Sequence, residues 1–224
     1  MRTHLRVFTI ESPSALDVFG DRNESSTLRA LCNLLGHQFA ATIVKSKGEF
    51  KTALKHLTSI NPKHIPQRQR NWPLCLHIAA HGDEEGLSLG AEDASWKYLA
   101  KEISSFLKLN NYPGPILVVI SACGAGQQQI TKELTDLATK QAFVPPAYLF
   151  VTDSEAVDWA DAVVAWSIFY HNIGHAIIKK KREIMTIMDK ICLAGAGTIK
   201  YSRWDEIKCK YFSYTPTCNE HEHT

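Results

Sequence analysis

The chain predicts an α/β domain: a mainly parallel central sheet flanked by helices. Three observations carry that expectation. Apolar runs of strand length alternate with segments of helical period, the pattern of βαβ units. Several strand-length runs are apolar almost throughout rather than alternating, as strands covered on both faces are. The chain has 224 residues, 45% hydrophobic and 21% charged, enough to bury one full core without staples. No repeat, low-complexity tract or inter-domain linker interrupts it. One doubly wound domain over 1–224 is expected, with its core over about 4–205 and a C-terminal tail over 206–224.

Each element follows in order. Leu5 to Ile10 reads as a first strand, ended by Ser12-Pro13. Leu28, Leu31, Cys32 and Leu35 keep helical spacing, and Gly36 is placed to stop that helix in a left-handed C-terminal turn. Phe39 to Val44 is a second strand, and Phe50, Ala53, Leu54 and Leu57 form the next helical face. Asn61 to Trp72 holds two prolines and no periodicity, so it reads as a loop. Leu74 to Ala80 is a third strand, apolar apart from His77. Trp96, Leu99, Ile103, Phe106 and Leu107 mark a helix, broken by Pro113-Gly114-Pro115. Ile116 to Ile120 is the fourth strand, followed by a helical stripe of Ile130, Leu134, Leu137 and Ala138. Pro145-Pro146 introduces a fifth strand, Tyr148 to Thr152. One long helical region from about Trp159 to Ile191 follows, and Thr198 to Trp204 reads as an added edge strand.

Composition excludes several classes. A net charge of +2 with a pI near 8.2 gives no global basic field for nucleic acid or a membrane surface. The longest purely aliphatic stretch, Ile116 to Ile120, falls far short of the roughly 18 residues of a membrane span. The opening MRTHLRVFTIESP lacks a signal-peptide pattern, so a cytoplasmic location is expected. The 6 cysteines are scattered without a CxxC, and reduced thiols are the expectation.

Chemistry concentrates at two strand ends. In open parallel sheets, ligands bind outside the carboxyl ends of the strands. The third strand runs CLHIAAHG and delivers His81-Gly82; the fourth runs PILVVISACGAG and delivers Cys123. A thiol beside an imidazole supplies a thiolate nucleophile and a general acid for a leaving amine. Gly82 lets a backbone N–H approach a carbonyl closely, so the Gly82 and Cys123 amides are candidates for an oxyanion hole. Gly124 and Gly126 leave the thiol unshielded and open a helix whose positive end favours thiolate. A lone cysteine or histidine is more often a buried structural residue. The ordered pair, about 40 residues apart on two apolar strands, is the specific signal.

At IAAHG and VVISACGAG the chain resembles the caspase-like cysteine peptidases of clan CD, a group of caspases, metacaspases, legumain, separase and CHAT-domain proteases. In that family a hydrophobic strand ending in His-Gly brings the base, and a second ending in Ala-Cys brings the nucleophile. The resemblance covers about Arg6 to Ile191 and implies a three-layer caspase-hemoglobinase fold. SACGAG and WADAVVAWSIFYHNIG are most similar to the CHAT and prokaryotic caspase-like branch. The caspase signature itself is Q-A-C-[RQG]-G; Ser121 replaces the Gln and Ala125 the final Gly, so strict aspartate specificity is not expected.

The resemblance also implies a substrate pocket. In relatives its walls come from the first-strand end, the residue two before the cysteine and the loop after the fifth strand. These map onto Glu11 or Ser12, Ser121, and Asp153 with Asp158 nearby. None is arginine, and Arg22 is the nearest on the first-strand side. Acidic walls favour Lys or Arg in the residue before the scissile bond. The alternative is that Asp153 and Asp158 cap the following helix.

The implied function is a cysteine endopeptidase using His81 and Cys123 on a protein or peptide substrate, with no metal or organic cofactor. An activating or inhibitory protein partner, or an upstream protease that switches it on, is expected to control it. A role as effector in a bacterial defence or cell-death pathway follows from the same resemblance. The alternative is a catalytically silent interaction module on the same fold. Self-cleavage in the loop bearing Arg68 and Arg70 is a further expectation. His77 and His81 are four apart on a strand and lack the glutamate of HExxH, so no zinc site is expected. The C-terminal run from Cys218 to His223 reads as a frayed end.

Overall fold

The computed structural model describes residues 3–127, 129–141, 143–153 and 157–216. In chain order the strands are β1 (Arg6–Ser12), β2 (Gln38–Ile43), β3 (Leu74–Ala80), β4 (Gly86–Leu89), β5 (Glu92–Ser95), β6 (Ile116–Ser121), β7 (Tyr148–Thr152), β8 (Ile199–Asp205) and β9 (Lys210–Tyr214). The helices are α1 (Ala15–Phe19), α2 (Glu24–Leu35), α3 (Lys47–Thr58), α4 (Trp96–Leu109), α5 (Gln129–Gln141), α6 (Trp159–Ile173) and α7 (Lys181–Leu193). Seven strands make one sheet in the order β2-β1-β3-β6-β7-β8-β9. The first five are parallel, and β8 and β9 continue it antiparallel. All five parallel strands therefore bring their C-terminal ends to one edge.

Strand parity divides the core into two layers. Phe8, Ile10, Leu76, Ile78, Val118 and Ile120 face α3, α4 and α5. Val7, Cys75, Leu117, Val119 and Phe150 face α2, α6 and α7. On α6, Trp166, Phe169 and Tyr170 are fully buried, each contributing on the order of 2–3 kcal/mol by removing its ring from water. Gly36 ends α2 at φ 74°, the left-handed turn expected of it.

Four departures from the sequence reading have local causes. The region 159–191 is two helices, since α6 stops at Gly174 and α7 restarts at Lys181. Ile173 and Ile184 are both fully buried, so the apolar pattern runs on across the break. The β4–β5 hairpin was not expected. Its Leu87, Leu89 and Ala94 are buried, and Gly90 turns it at φ 66° with its Cα packed on the Lys45 backbone. β8 is not an edge strand, because Lys210–Tyr214 pairs beyond it and draws part of the expected tail into the sheet. Cys192 is disulfide-bonded, against the expectation of reduced thiols throughout, while Cys32, Cys75, Cys123 and Cys209 are free. The residues 217–224, which include the Cys218–His223 run, lie outside those described. Among the described residues no helix is long and apolar enough to cross a membrane.

Candidate active site

The parallel register builds the site row by row. Glu11, Ala79 and Ser121 are neighbours across β1, β3 and β6, on the sheet face covered by α2 and α6. Two residues further on, at the same parity, the chain reaches His81 and Cys123. Both line one cleft of about 440 Å³, together with Glu11, Ser12, Asp17, Arg22, Glu24, Ser121 and Asp158. His81 is exposed and Cys123 half-buried. Among the described residues no hydrogen bond joins the two. The thiol lies against the next loop, where Sγ accepts the Val157 N–H at 3.4 Å.

The loops carrying the two residues are packed backbone to backbone. A side chain on Gly82 would meet the Cys123 carbonyl oxygen at 2.9 Å, and one on Gly124 would meet the Asp83 carbonyl oxygen at 2.7 Å. Gly82 forms an isolated antiparallel bridge to Leu87, flanked by Ser88 N–H to His81 O and Asp83 N–H to Gly86 O. In such a pair the central residue's own N–H points away from its partner strand. The Gly82 amide is thus directed away from β4. Gly124 sits at φ 68°, a region closed to most side chains. Gly124→Ala is expected to cost about 1–3 kcal/mol in urea denaturation, from the unfavourable backbone and the Asp83 contact together. Gly48→Ala, within α3 and with only an ordinary contact to Ser46 Oγ, is the control and should cost nothing or stabilise by up to about 1 kcal/mol.

The helix expected directly after Cys123 is delayed. A single 3₁₀ turn at Ala125–Gln127 comes first, and α5 begins only at Gln129. The helix dipole acts within the first turn, so it contributes less to the thiol than the sequence implied. The loop is anchored instead by Lys200, whose ammonium lies 2.8 Å from Asp153 Oδ1 and also hydrogen-bonds the Gly126 carbonyl.

That pairing decides the place of Asp153. Its carboxylate is taken up by Lys200 and does not line the cleft. Asp158 does line the cleft, and caps α6 by accepting the Ala160 N–H at 2.8 Å. The residues 154–156 between them lie outside those described. Glu11, 4% exposed, accepts the Glu24 N–H at 2.5 Å and is bonded to Ser25 through both amide and hydroxyl. It holds the N-terminus of α2, where a carboxylate is stabilised by unpaired amides. Ser121 donates to Glu24 Oε2 at 2.9 Å and accepts the Trp166 indole N–H at 2.8 Å.

No family model matches the sequence, and no curated protein sequence matches it. Its structure is similar to the crystal structure of caspase-1 from Spodoptera frugiperda, with a TM-score of 0.50 over 86% of this chain and 77% of that one, at 11% identity. The fold is caspase-like.

Three cleft residues escaped the sequence reading. Asp17 Oδ2 lies 2.6 Å from His81 Nε2. Glu24 Oε1 lies 2.6 Å from Nε2 of the fully buried His77, whose Nδ1 is 2.9 Å from the Tyr170 hydroxyl. Arg22, noted in the sequence only as the arginine nearest the first-strand end, lines the cleft beside the caspase-like strand ends. For Asp17 a signal existed. Ser14-Ala-Leu-Asp17 is a capping-box spacing, and Ser14 and Asp17 form that box at the start of α1.

Burial pushes Cys32 and Cys75 up to about 12, which makes them inert near neutral pH. Among the described residues no group of three or more His, Cys, Asp and Glu is arranged to hold a metal ion.

Proposed function

We propose that the protein is a cysteine endopeptidase. The observation that carries this is the meeting of two strand-end loops on a caspase-like fold, backbone against backbone, with His81 and Cys123 in one cleft. Cys123 Sγ attacks the scissile carbonyl, and the oxyanion is received by the Gly82 and Cys123 amides. His81 gives its proton to the leaving amine, then takes one from the water that hydrolyses the thioester. No metal or organic cofactor enters these steps.

The substrate carries Lys or Arg before the scissile bond. Four carboxylates line the cleft, from Glu11, Asp17, Glu24 and Asp158, against one guanidinium from Arg22. The small Ala79 in the row Glu11-Ala79-Ser121 leaves room above the strands. Glu24 receives one bond from His77 and one from Ser121, leaving acceptor capacity for a cation. Asp153, matched to Lys200, is left out of this pocket.

The CHAT-like branch and the effector role in defence or cell death rest on the resemblance of SACGAG and the α6 segment. Activation by a partner or an upstream protease belongs to the same reading. Cleavage at Arg68 or Arg70 would occur between molecules. Their loop precedes β3, and the 7 residues of that strand carry the chain over roughly 20 Å to the cleft at its other end.

Matched fluorogenic peptides ending in Arg, Lys or Asp test the reading, alongside labelling by an acyloxymethyl-ketone probe with a basic recognition residue. Selective labelling of Cys123 and preference for Arg and Lys of at least about tenfold are expected, one hydrogen bond to a charged group being worth about 1.5–3 kcal/mol. Preference for Asp overturns the specificity. No hydrolysis with no selective labelling overturns the peptidase.

A further inference from the structure

We propose that Asp17 is the residue that positions His81 for proton transfer, making the site a Cys–His–Asp arrangement rather than a dyad. The proposal rests on the peptidase reading for its kinetic consequence but not for its geometry.

His81 stands at the tip of β3 with 59% of its side chain exposed, so packing does little to fix its ring. One strong contact does. Its Nε2 lies 2.6 Å from Asp17 Oδ2, at the distance of a charge-assisted hydrogen bond. A carboxylate only accepts, so Nε2 carries the proton in this bond. That leaves Nδ1 to exchange a proton with the leaving amine or the attacking water. The third group thus sets both the orientation and the tautomer of the imidazole.

Asp17 is itself held in place. The same Oδ2 accepts the Ser14 amide at 2.9 Å and the Ser14 hydroxyl at 2.6 Å, while the Asp17 N–H is donated back to Ser14 Oγ. Only 16% of its side chain is exposed. Burial works against its ionisation, but hydrogen bonds from the Ser14 side chain, His81 and the Ser14 amide outweigh it and hold the carboxyl below its ordinary value. Near neutral pH the partner of His81 is therefore an anion. Asp17 comes from α1, an element with no buried residue. Leu16 and Phe19 are 81% and 89% exposed. A helix that buries nothing is not retained for packing, and the bond to His81 gives it a role.

Three variants separate positioning from support of α1. Asp17→Asn keeps the shape and removes the charge; a fall of about 10²–10⁴-fold in kcat with KM within about threefold is expected, the range for loss of an orienting carboxylate. Asp17→Glu should restore part of that loss. Ser14→Ala weakens the cap but keeps the carboxylate on His81, and should lose less than about tenfold. The second readout is the ring N–H of His81 in a 1H–15N spectrum. A downfield Nε2 proton is expected in the wild type and should be lost in Asp17→Asn. Unchanged kcat in Asp17→Asn, or equal losses in Asp17→Asn and Ser14→Ala, would overturn the positioning role. If the wild type cleaves no peptide, the peptidase reading fails, and the His81 spectrum alone decides: a downfield proton indifferent to Asp17 removes the proposal.

Discussion

Cys123→Ala is expected to lower kcat/KM for peptide hydrolysis by about 10⁴-fold or more while leaving the urea midpoint nearly unchanged. The two halves of that expectation have separate reasons. Covalent chemistry splits a difficult hydrolysis into acylation and deacylation, and without sulfur neither step has a path. Stability should hold because the thiol is half-buried and its contacts are weak: the Val157 N–H at 3.4 Å and the Val157 carbonyl at 4.0 Å. Loss of such contacts at a partly solvated site is usually within about 0.5 kcal/mol. A chemical control is built into the molecule. Cys209 is free and exposed far from the cleft, a fair standard for an ordinary thiol, whereas Cys32 and Cys75 are buried. Iodoacetamide should alkylate Cys123 faster than Cys209, followed by peptide mapping. Equal rates would falsify the activated nucleophile, whatever the peptide assays show.

His81 and Cys123 could be read from the chain because each is the terminal residue of an apolar run whose direction is implied by the fold. Parallel strands put both ends on one edge, and equal parity puts both side chains on one face. Glu11, with Ser12 as its alternative, and Ser121 came instead from the resemblance, and the register puts Glu11 and Ser121 in one row with Ala79. Strand-end reasoning does not reach cleft residues on elements without apolar periodicity. Asp17 lies on a five-residue helix with no buried face, and Glu24 opens α2 one turn before its first apolar contact, Leu28. Their partners, His81 and His77, lie more than 50 residues away, and only the fold brings them together. Asp153 misled for the opposite reason. It stands where the resemblance wants a pocket residue, but Lys200 on antiparallel β8 takes its charge, and an antiparallel return is invisible to a βαβ pattern. The β4–β5 hairpin was missed because Leu87 and Leu89 are too few to register as a strand beside seven-residue neighbours.

Glu24→Ala should carry a large stability cost, about 3–4 kcal/mol by urea denaturation. His77 is fully buried one row beneath the cleft floor, edge-on to Trp166 at 5.4 Å between ring centres. Its two nitrogens are matched by the Tyr170 hydroxyl and Glu24. Removing Glu24 takes the acceptor from both the fully buried His77 imidazole and the Ser121 hydroxyl. Each buried orphan costs about 1–3 kcal/mol, so the two together outweigh the small gain from relieving a desolvated carboxylate. Glu24→Gln keeps an oxygen and an amide at the same place and should cost only about 1–2 kcal/mol. A double-mutant cycle with His77→Leu should return a coupling of more than about 1 kcal/mol, since each single change strands the other partner. A cycle that closes to zero would show that the pair stabilises nothing. Both Glu24 variants should also flatten the preference for Arg and Lys, and Glu24→Gln, the milder fold lesion, is the informative one. If it retains full preference, the cation is read by Glu11 or Asp158 instead. The buried acid would then be a support for the cleft floor rather than part of the pocket.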